Sequence, residues 1–266
     1  MSYELFQASR IGARREQQDR LEHWSSKDAL LLALADGMGG HARGELAATV
    51  AVETLGAAFR AEARPHLADP AAFLARAVAR AHAAIAQRSR ELRLGDSPRT
   101  TLVACVVQEG RAWWTHVGDS RLYLIRDGRV AARTRDHSVV QRLIDSGRIR
   151  EEAITADPDR HKLLVCLGGP IAPRVEPPAS AGLVAGDLLL LCSDGFWAPL
   201  SERQLLTGLI GRRAQEALAA LVRLAEMRAG RDADNLSVLA LHWRGPGGAG
   251  ATCAAAGAEA LEAARE

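Results

Sequence analysis

Two apolar patterns alternate along the chain. The first is the unbroken run of strand length. Residues 30–35 (LLLALA), 100–108 (TTLVACVVQ), 111–117 (RAWWTHV) and 121–125 (RLYLI) are of this kind, and turns containing Gly110 and Gly118 separate the last three. Asp127-Gly128 is a strong hairpin signal and predicts pairing of residues 122–126 with 129–133. Turns this short join antiparallel neighbours, so the block reads as antiparallel sheet and not as βαβ units. Residues 183–192 read as a turn, Ala185-Gly186-Asp187, leading into a buried strand, and residues 235–243 as a last strand.

The second pattern returns every three or four positions. It predicts helices over residues 45–60, 71–92, 201–209 and 213–228, with a short one over 138–146. In the 71–92 stretch, Phe73, Leu74, Ala77, Val78, Ala81 and Ile85 fall on one face. Such a stripe is read as core-facing and not as a partner-binding face. Pro65 and Pro70 mark the break between the first two helices. Residues 136–178 are otherwise polar, proline-containing loop. Beyond residue 244 the glycine- and alanine-rich sequence lacks the large side chains of a core, and is expected to be a disordered or weakly helical tail over 245–266. Strand runs flanked by helix runs predict an α+β fold over residues 1–244. Two antiparallel β-sheets pack face to face with α-helices outside, a four-layer αββα sandwich.

Composition narrows the function. A chain of 266 residues, 48% hydrophobic, is long enough for one sizeable core. A net charge of +2 argues against a dedicated nucleic-acid binder. Only Lys27 and Lys162 are lysines, and the arginine and alanine bias reads as coding composition, not as a phosphate-binding surface. Cys105, Cys166, Cys192 and Cys253 form no Cys-x-x-Cys pair and are expected to be buried free thiols. The first residues, MSYELFQASR, resemble neither a signal nor a transit segment, and no apolar run approaches the ~18 residues of a membrane span. A cytoplasmic protein with no membrane partner is the expectation.

The chemistry lies where apolar runs meet aspartate. LLALADGMGGH places Asp36 and Gly37, WWTHVGDSR places Asp119, LLLLCSDGFW places Asp194, and AGRDADNLSV places Asp234 and Asn235. One Asp-Gly pair mostly marks a turn. Several carboxylates against strongly apolar runs are costly to bury unless cations compensate them. Oxygen ligands with no His/Cys cluster point to magnesium or manganese. The histidines show no zincin spacing, and neither a P-loop nor a Gly-x-Ser-x-Gly elbow is present.

Taken in order, RREQQD, ADGMGGH followed by GE, RTT, HVGDSR, TRDHS, CSDG and ADNLSV resemble the metal-dependent type 2C (PPM-type) protein phosphatases over residues 9–243. The resemblance implies a β-sandwich flanked by helices and two Mn2+ or Mg2+ ions, with a third, weaker one in bacterial members. It implies that Asp36 bridges both ions, that the Gly37 carbonyl is a further ligand, and that Asp194 and Asp234 hold the first ion. Asp19 matches the acidic position near the second ion, reached directly or through water, and Asp119 the third site. Arg14 matches the arginine that grips substrate phosphate, with Arg15 as the alternative. Residues 136–178 match the mobile flap. The implied reaction is hydrolysis of phosphoserine and phosphothreonine in proteins by water activated between the ions, with no phosphoenzyme. The implied partners are a bacterial Ser/Thr kinase and its targets, and the implied state is a monomer.

Three positions depart from that pattern. Gln17-Gln18 precedes Asp19 where asparagine and sometimes a carboxylate are usual, so the second ion loses a neighbouring charge. Met38 stands where eukaryotic relatives carry a histidine, which leaves water to protonate the leaving group; His41 reads as structural rather than as that acid. Arg99 replaces a glycine before Thr100-Thr101, a change to which no mechanism attaches. Retention of Asp19, Asp36, Asp194 and Asp234 favours activity over an inactive regulatory binding module, and over a hydrolase of small phosphate esters the resemblance favours a protein substrate.

Overall fold

The computed structural model describes residues 1–38, 43–151, 154, 157, 159–210 and 212–246, together with the backbone pairing of 254–255. Strand β3 (Ala29–Met38) sets the architecture, because it is buried on both faces from Ala29 to Ala35. Successive side chains of a strand point to opposite faces. Leu31, Ala33 and Ala35 therefore enter one apolar cluster, shared with helices, while Leu30, Leu32 and Leu34 enter another, shared with the second sheet. A strand with no solvated face has no polar alternation, which is why this one reads as a continuous run.

The first sheet runs β2 (Asp19–Ser25), β3, β5 (Leu102–Gln108), β6 (Arg111–Val117) and β9 (Ala179–Gly182), with β4 (Arg99–Thr100) on β3. The second runs β1 (Ser2–Arg10), β11 (Leu236–Gly245), β10 (Leu188–Cys192), β7 (Arg121–Arg126) and β8 (Arg129–Arg133), with the two residues of β12 (Ala254–Ala255) on β1. Apart from the parallel β1–β12 contact, the pairings are antiparallel. β10 splits its apolar residues as β3 does. Leu188, Leu190 and Cys192 face outward, and Leu189 and Leu191 face the other sheet.

Helices α1 (Gly44–Glu62) and α2 (Pro70–Glu91) cover the first sheet. Helices α3 (Val139–Asp145), α4 (Asp194–Trp197), α5 (Glu202–Leu209) and α6 (Ala214–Ala229) cover the second. The result is the expected αββα sandwich, with three apolar cores for its four layers. Local signals explain the helix starts. Asp69 caps α2 by accepting from Ala72 N, with Pro70 in the first turn, and Ser201 with Gln204 forms a capping box on α5. The hairpin is also as expected: Asp127 and Gly128 take φ of 50° and 69°, and Arg126 pairs with Arg129.

Three strands had no apolar run to announce them. β1, β2 and β9 are only partly buried along their lengths, so their residues need not be apolar throughout. The expected strand at 100–108 is divided: β4 pairs with β3, and Thr101 separates it from β5. Residues 247–253 and 256–266, on which the expectation of a disordered tail falls, lie outside the described residues, as do His41 and Cys253. No helix among the described residues is long and apolar enough to cross a membrane. Leu32→Ala opens a void between the sheets and is expected to lower stability by about 2–5 kcal/mol, read as a lower urea midpoint. Ile171→Ala, at a side chain that is 82% exposed, is expected to change it by less than about 0.5 kcal/mol.

Candidate metal centre

Strand ends from both sheets meet at one edge of the sandwich. Asp36 and Gly37 close β3, and Asp19, the first residue of β2, is Asp36's register partner. Asp119 lies in the turn between β6 and β7, Asp194 opens α4 directly after β10, and Asp234 precedes β11. Asp36, Gly37, Asp119, Asp194, Asp234 and Arg14 all line a single cleft of about 630 Å³. Asp19 is not on its wall: it is 2% exposed and lies beneath the others.

Small polar side chains fix the backbone at each aspartate. The Asp36 carbonyl accepts from Thr101 N at 2.8 Å and from Thr100 Oγ1 at 2.9 Å, while Asp36 N donates to Thr101 Oγ1 at 3.0 Å. The paired threonines after Arg99 thus clamp the residue expected to bridge the ions. Ser193 Oγ donates to Asp19 Oδ2 at 2.8 Å and accepts from Ser237 N at 2.9 Å, tying β2 to β10 and β11. Asn235 Nδ2 donates to the carbonyls of Ile11 and Glu16 at 2.9 and 3.0 Å, and its Oδ1 accepts from Gln18 N at 2.8 Å. That grip holds the 11–18 loop, and with it Arg14, against Asp234. Gly37 serves close approach rather than a turn: a Cβ there would lie 2.2 Å from the Gly44 carbonyl oxygen and 2.8 Å from that of Gln18. Thr100, Thr101, Ser193 and Asn235 belong to the recognised segments, but their side-chain partners are distant in sequence.

Electrostatics strain the cluster. Burial, opposed by hydrogen bonds from Ser193 and Ser237 and helped by repulsion from Asp194 and Asp234, pushes the Asp19 carboxyl up to about 7. Burial, and after it the neighbouring Asp19, Asp194, Asp119 and Asp234, raises Asp36 well above the usual carboxylate range. Burial followed by Asp194 and Asp136 does the same at Asp119. Two buried oxygens, Oδ1 of Asp19 and Oδ1 of Asp194, have no hydrogen-bond partner. A buried acceptor left unsatisfied is costly, and a hard divalent cation answers that cost with the ligand type it prefers. The donor set therefore fits magnesium or manganese. Among the described residues no three His, Cys, Asp or Glu side chains form a ready cage. Arg14 brings a positive charge to the cluster: Nη2 donates to Asp234 Oδ2 at 2.7 Å, and Asp194 and Asp36 add to the field that holds its charge.

Other expected residues fall as follows. Arg15 also lines the cleft, as do Gln18 and Met38, but Arg14 is the arginine paired with a cluster carboxylate. Burial raises the Cys105, Cys192 and Cys166 thiols, so none of these three is a ready nucleophile. One connection had no signal in the sequence. Trp197 Nε1 donates to the Asp119 carbonyl at 3.0 Å, and its ring lies 3.4 Å from the Arg121 guanidinium. Arg121 in turn pairs with Asp136 through two hydrogen bonds of 2.8 and 2.7 Å.

The Asp19 shift has a measurable consequence. Its folded-state pKa lies above the ordinary carboxylate value, so the metal-free folded protein binds more protons than the unfolded chain between about pH 4 and pH 7. Stability from this group is lost as pH rises through that window. The melting temperature of EDTA-treated protein is expected to fall between pH 5 and pH 7.5, less steeply in Asp19→Asn. Added Mn2+ is expected to raise it more at pH 7.5 than at pH 5, where protons compete for the carboxylates.

Known proteins share this fold. The family model for protein phosphatase 2C matches residues 6–229. The serine/threonine protein phosphatase PstP of Mycobacterium tuberculosis is 38% identical over 212 residues, covering 79% of this chain and 40% of that protein, so the chain spans well under half the length of that relative. The crystal structure of the PstP catalytic domain in complex with two manganese ions is 32% identical with a TM-score of 0.76, covering 91% of this chain and 98% of that one. The serine/threonine phosphatase Stp1 of Staphylococcus aureus superposes with a TM-score of 0.84 at 25% identity, over 92% of this chain and 96% of that one. The chain belongs to the protein phosphatase 2C family.

Proposed function

We propose that the protein is a metal-dependent serine/threonine phosphatase that hydrolyses phosphoserine and phosphothreonine in other proteins. The observation that carries this reading is the pair of partnerless buried oxygens, on Asp19 and Asp194, within an acid cluster that lines an open cleft. The cations would be manganese or magnesium, two of them with a third at Asp119. When bound, they acidify water and neutralise phosphoryl charge. Asp36 would hold both, with the Gly37 carbonyl as a further ligand, and Asp194 and Asp234 would hold the first. Asp19 supports the other from beneath the wall, directly or through water.

The remaining steps belong to the chain itself. Arg14 has a fork suited to two phosphate oxygens, and it stands at the cleft already drawn toward negative charge. Occupation of Asp234 by a cation would release that fork to the substrate. Met38 lines the cleft and has no proton to give, so water in the open cleft protonates the departing serine or threonine oxygen. The buried thiols stay protonated, in keeping with direct hydrolysis and no phosphocysteine. Residues 136–178 border the site through His161 and Leu163 and form its flap. Catalysis is assigned to residues 1–244, acting as a monomer in the cytoplasm against a bacterial Ser/Thr kinase and its targets.

The test is phosphate release from a phosphothreonine peptide. Turnover is expected with Mn2+ and is expected to vanish with EDTA. Asp36→Asn and Asp194→Asn should each lower kcat/KM by at least about 100-fold with the circular dichroism spectrum unchanged, since a ligand matters at least as much as the groups behind it. Asp119→Ala should lower turnover while calorimetry still counts two bound Mn2+. Well-folded, Mn2+-loaded protein that releases no phosphate would instead be a binding module.

A further inference from the structure

Beside the metal cleft lies a second concavity of about 740 Å³. The two share Arg14, His161, Asp194 and Asp234, so a peptide whose phosphate lies over the aspartates continues directly into it. Beyond the shared wall the second concavity carries three arginines, Arg160, Arg228 and Arg231, against one carboxylate, Asp232.

These arginines come from separate parts of the chain. Arg160 belongs to the 136–178 segment, Arg228 to the last turn of α6, and Arg231 to the 3-10 turn Gly230–Asp232 that follows. All three are exposed. Some exposed arginines elsewhere are neutralised, as Arg76 and Arg80 are by Glu62 and Arg135 is by Asp145. Others, such as Arg93, Arg129 and Arg223, are single surface charges unpaired among the described residues, so it is convergence that sets the three apart. Among the described residues none of the three has a carboxylate within ion-pair distance. Arg228 donates only to neutral oxygens, the Pro199 carbonyl at 3.3 Å and Gln204 Oε1. A solvated charged face needs no convergence. Here uncompensated guanidinium groups from two regions meet in one hollow next to the reacting site. Cations at Asp194 and Asp234 would cancel the only negative charge on the shared wall, leaving the hollow dominated by arginine.

We propose that this hollow is a peptide subsite selecting substrates with aspartate or glutamate beside the phosphorylated residue. The inference rests on the phosphatase reading and adds its substrate class. A guanidinium fork matches a carboxylate in geometry and charge. Ion pairs at an exposed surface are individually weak, so three together are expected to give a preference of about five- to tenfold and not an absolute requirement. The preference is expected to shrink at high salt.

The experiment uses the full, Mn2+-loaded chain and three phosphothreonine peptides that differ only in the flanking residues: glutamate, alanine or lysine on both sides. The expected order of kcat/KM is glutamate, alanine, lysine, with the roughly five- to tenfold first step expressed mainly in KM. In the double variant Arg160→Ala/Arg231→Ala the glutamate-to-alanine ratio is expected to fall below about twofold. Equal rates on the first two peptides, a preference for lysine, or a ratio that survives the double variant overturns the proposal. Turnover of p-nitrophenyl phosphate, which has no flanking residues, reports on the metal site alone. Its absence in the unmodified protein would count against the phosphatase reading. The subsite would then be decided by fluorescence anisotropy with the unphosphorylated glutamate and alanine peptides, where tighter binding of the first, abolished in the double variant, supports it and equal binding overturns it.

Discussion

Carboxylates brought together at the edge of a sandwich repel one another and lose hydration, and the cleft is organised around that opposition. Asp19, Asp36 and Asp119 are all pushed toward the protonated state, and two of the cluster's oxygens remain unanswered by any donor. No stable fold would keep such an arrangement for packing alone, since replacing a buried charge by an apolar group of the same shape is commonly neutral or favourable. The strain is intelligible if divalent cations are part of the working molecule, supplying free energy of binding that the metal-free chain lacks.

The sandwich supplies rigidity to hold that strain. Each sheet is packed on both faces, against helices outside and against the other sheet inside. A strand so enclosed cannot slip by one residue without exchanging its two apolar faces. Asp36 therefore inherits its position from Leu30–Leu34 below it in β3, and Asp194 inherits its position from β10. The clamps at the strand ends finish the work: Thr100 and Thr101 on the Asp36 backbone, Ser193 between Asp19 and Ser237. They explain why hydroxyl residues adjoin the acidic segments, a feature that reads as incidental in a linear sequence.

The central strands and long helices were legible because their signal is local. An apolar run such as LLLALA or a 3.6-residue stripe such as that of α2 states its own burial. β1 and β2 were illegible for the opposite reason. They lie partly exposed, and β1 is defined by pairing with β11 from the far end of the described fold. The site divides in the same way. Asp36, Asp119 and Asp194 were visible as aspartates following apolar runs and Asp234 as one preceding a run, and they do share one cleft. The resemblance supplied Arg14, and the structure adds a partner for it in Asp234. That Asp19 lies below the wall, that Asn235 secures the Arg14 loop and that Trp197 reaches Asp119 depend on contacts across long stretches of chain. No spacing rule encodes them.

The segment over residues 136–178 is attached at both ends to the machinery it borders. At its start, the buried Arg121–Asp136 pair rests on the Trp197 ring, and Trp197 holds the Asp119 carbonyl. Further on, Leu167 bridges to Thr100, the residue that also donates to the Asp36 carbonyl. Between these anchors, Ser138 caps α3 and pairs with Leu163, which lines the metal cleft. A displacement of this segment would therefore bear on two acidic positions, through Thr100 at Asp36 and through Trp197 at Asp119. A buried ion pair is a poor source of stability but a good source of register, and register is what this location demands. The same segment places His161 at Asp194 and Arg160 in the adjoining hollow. One stretch of chain thus bears on the geometry of the acidic cluster and supplies one of the three arginines of the proposed peptide subsite, which gives the fold a physical route by which what binds outside can influence the cluster inside.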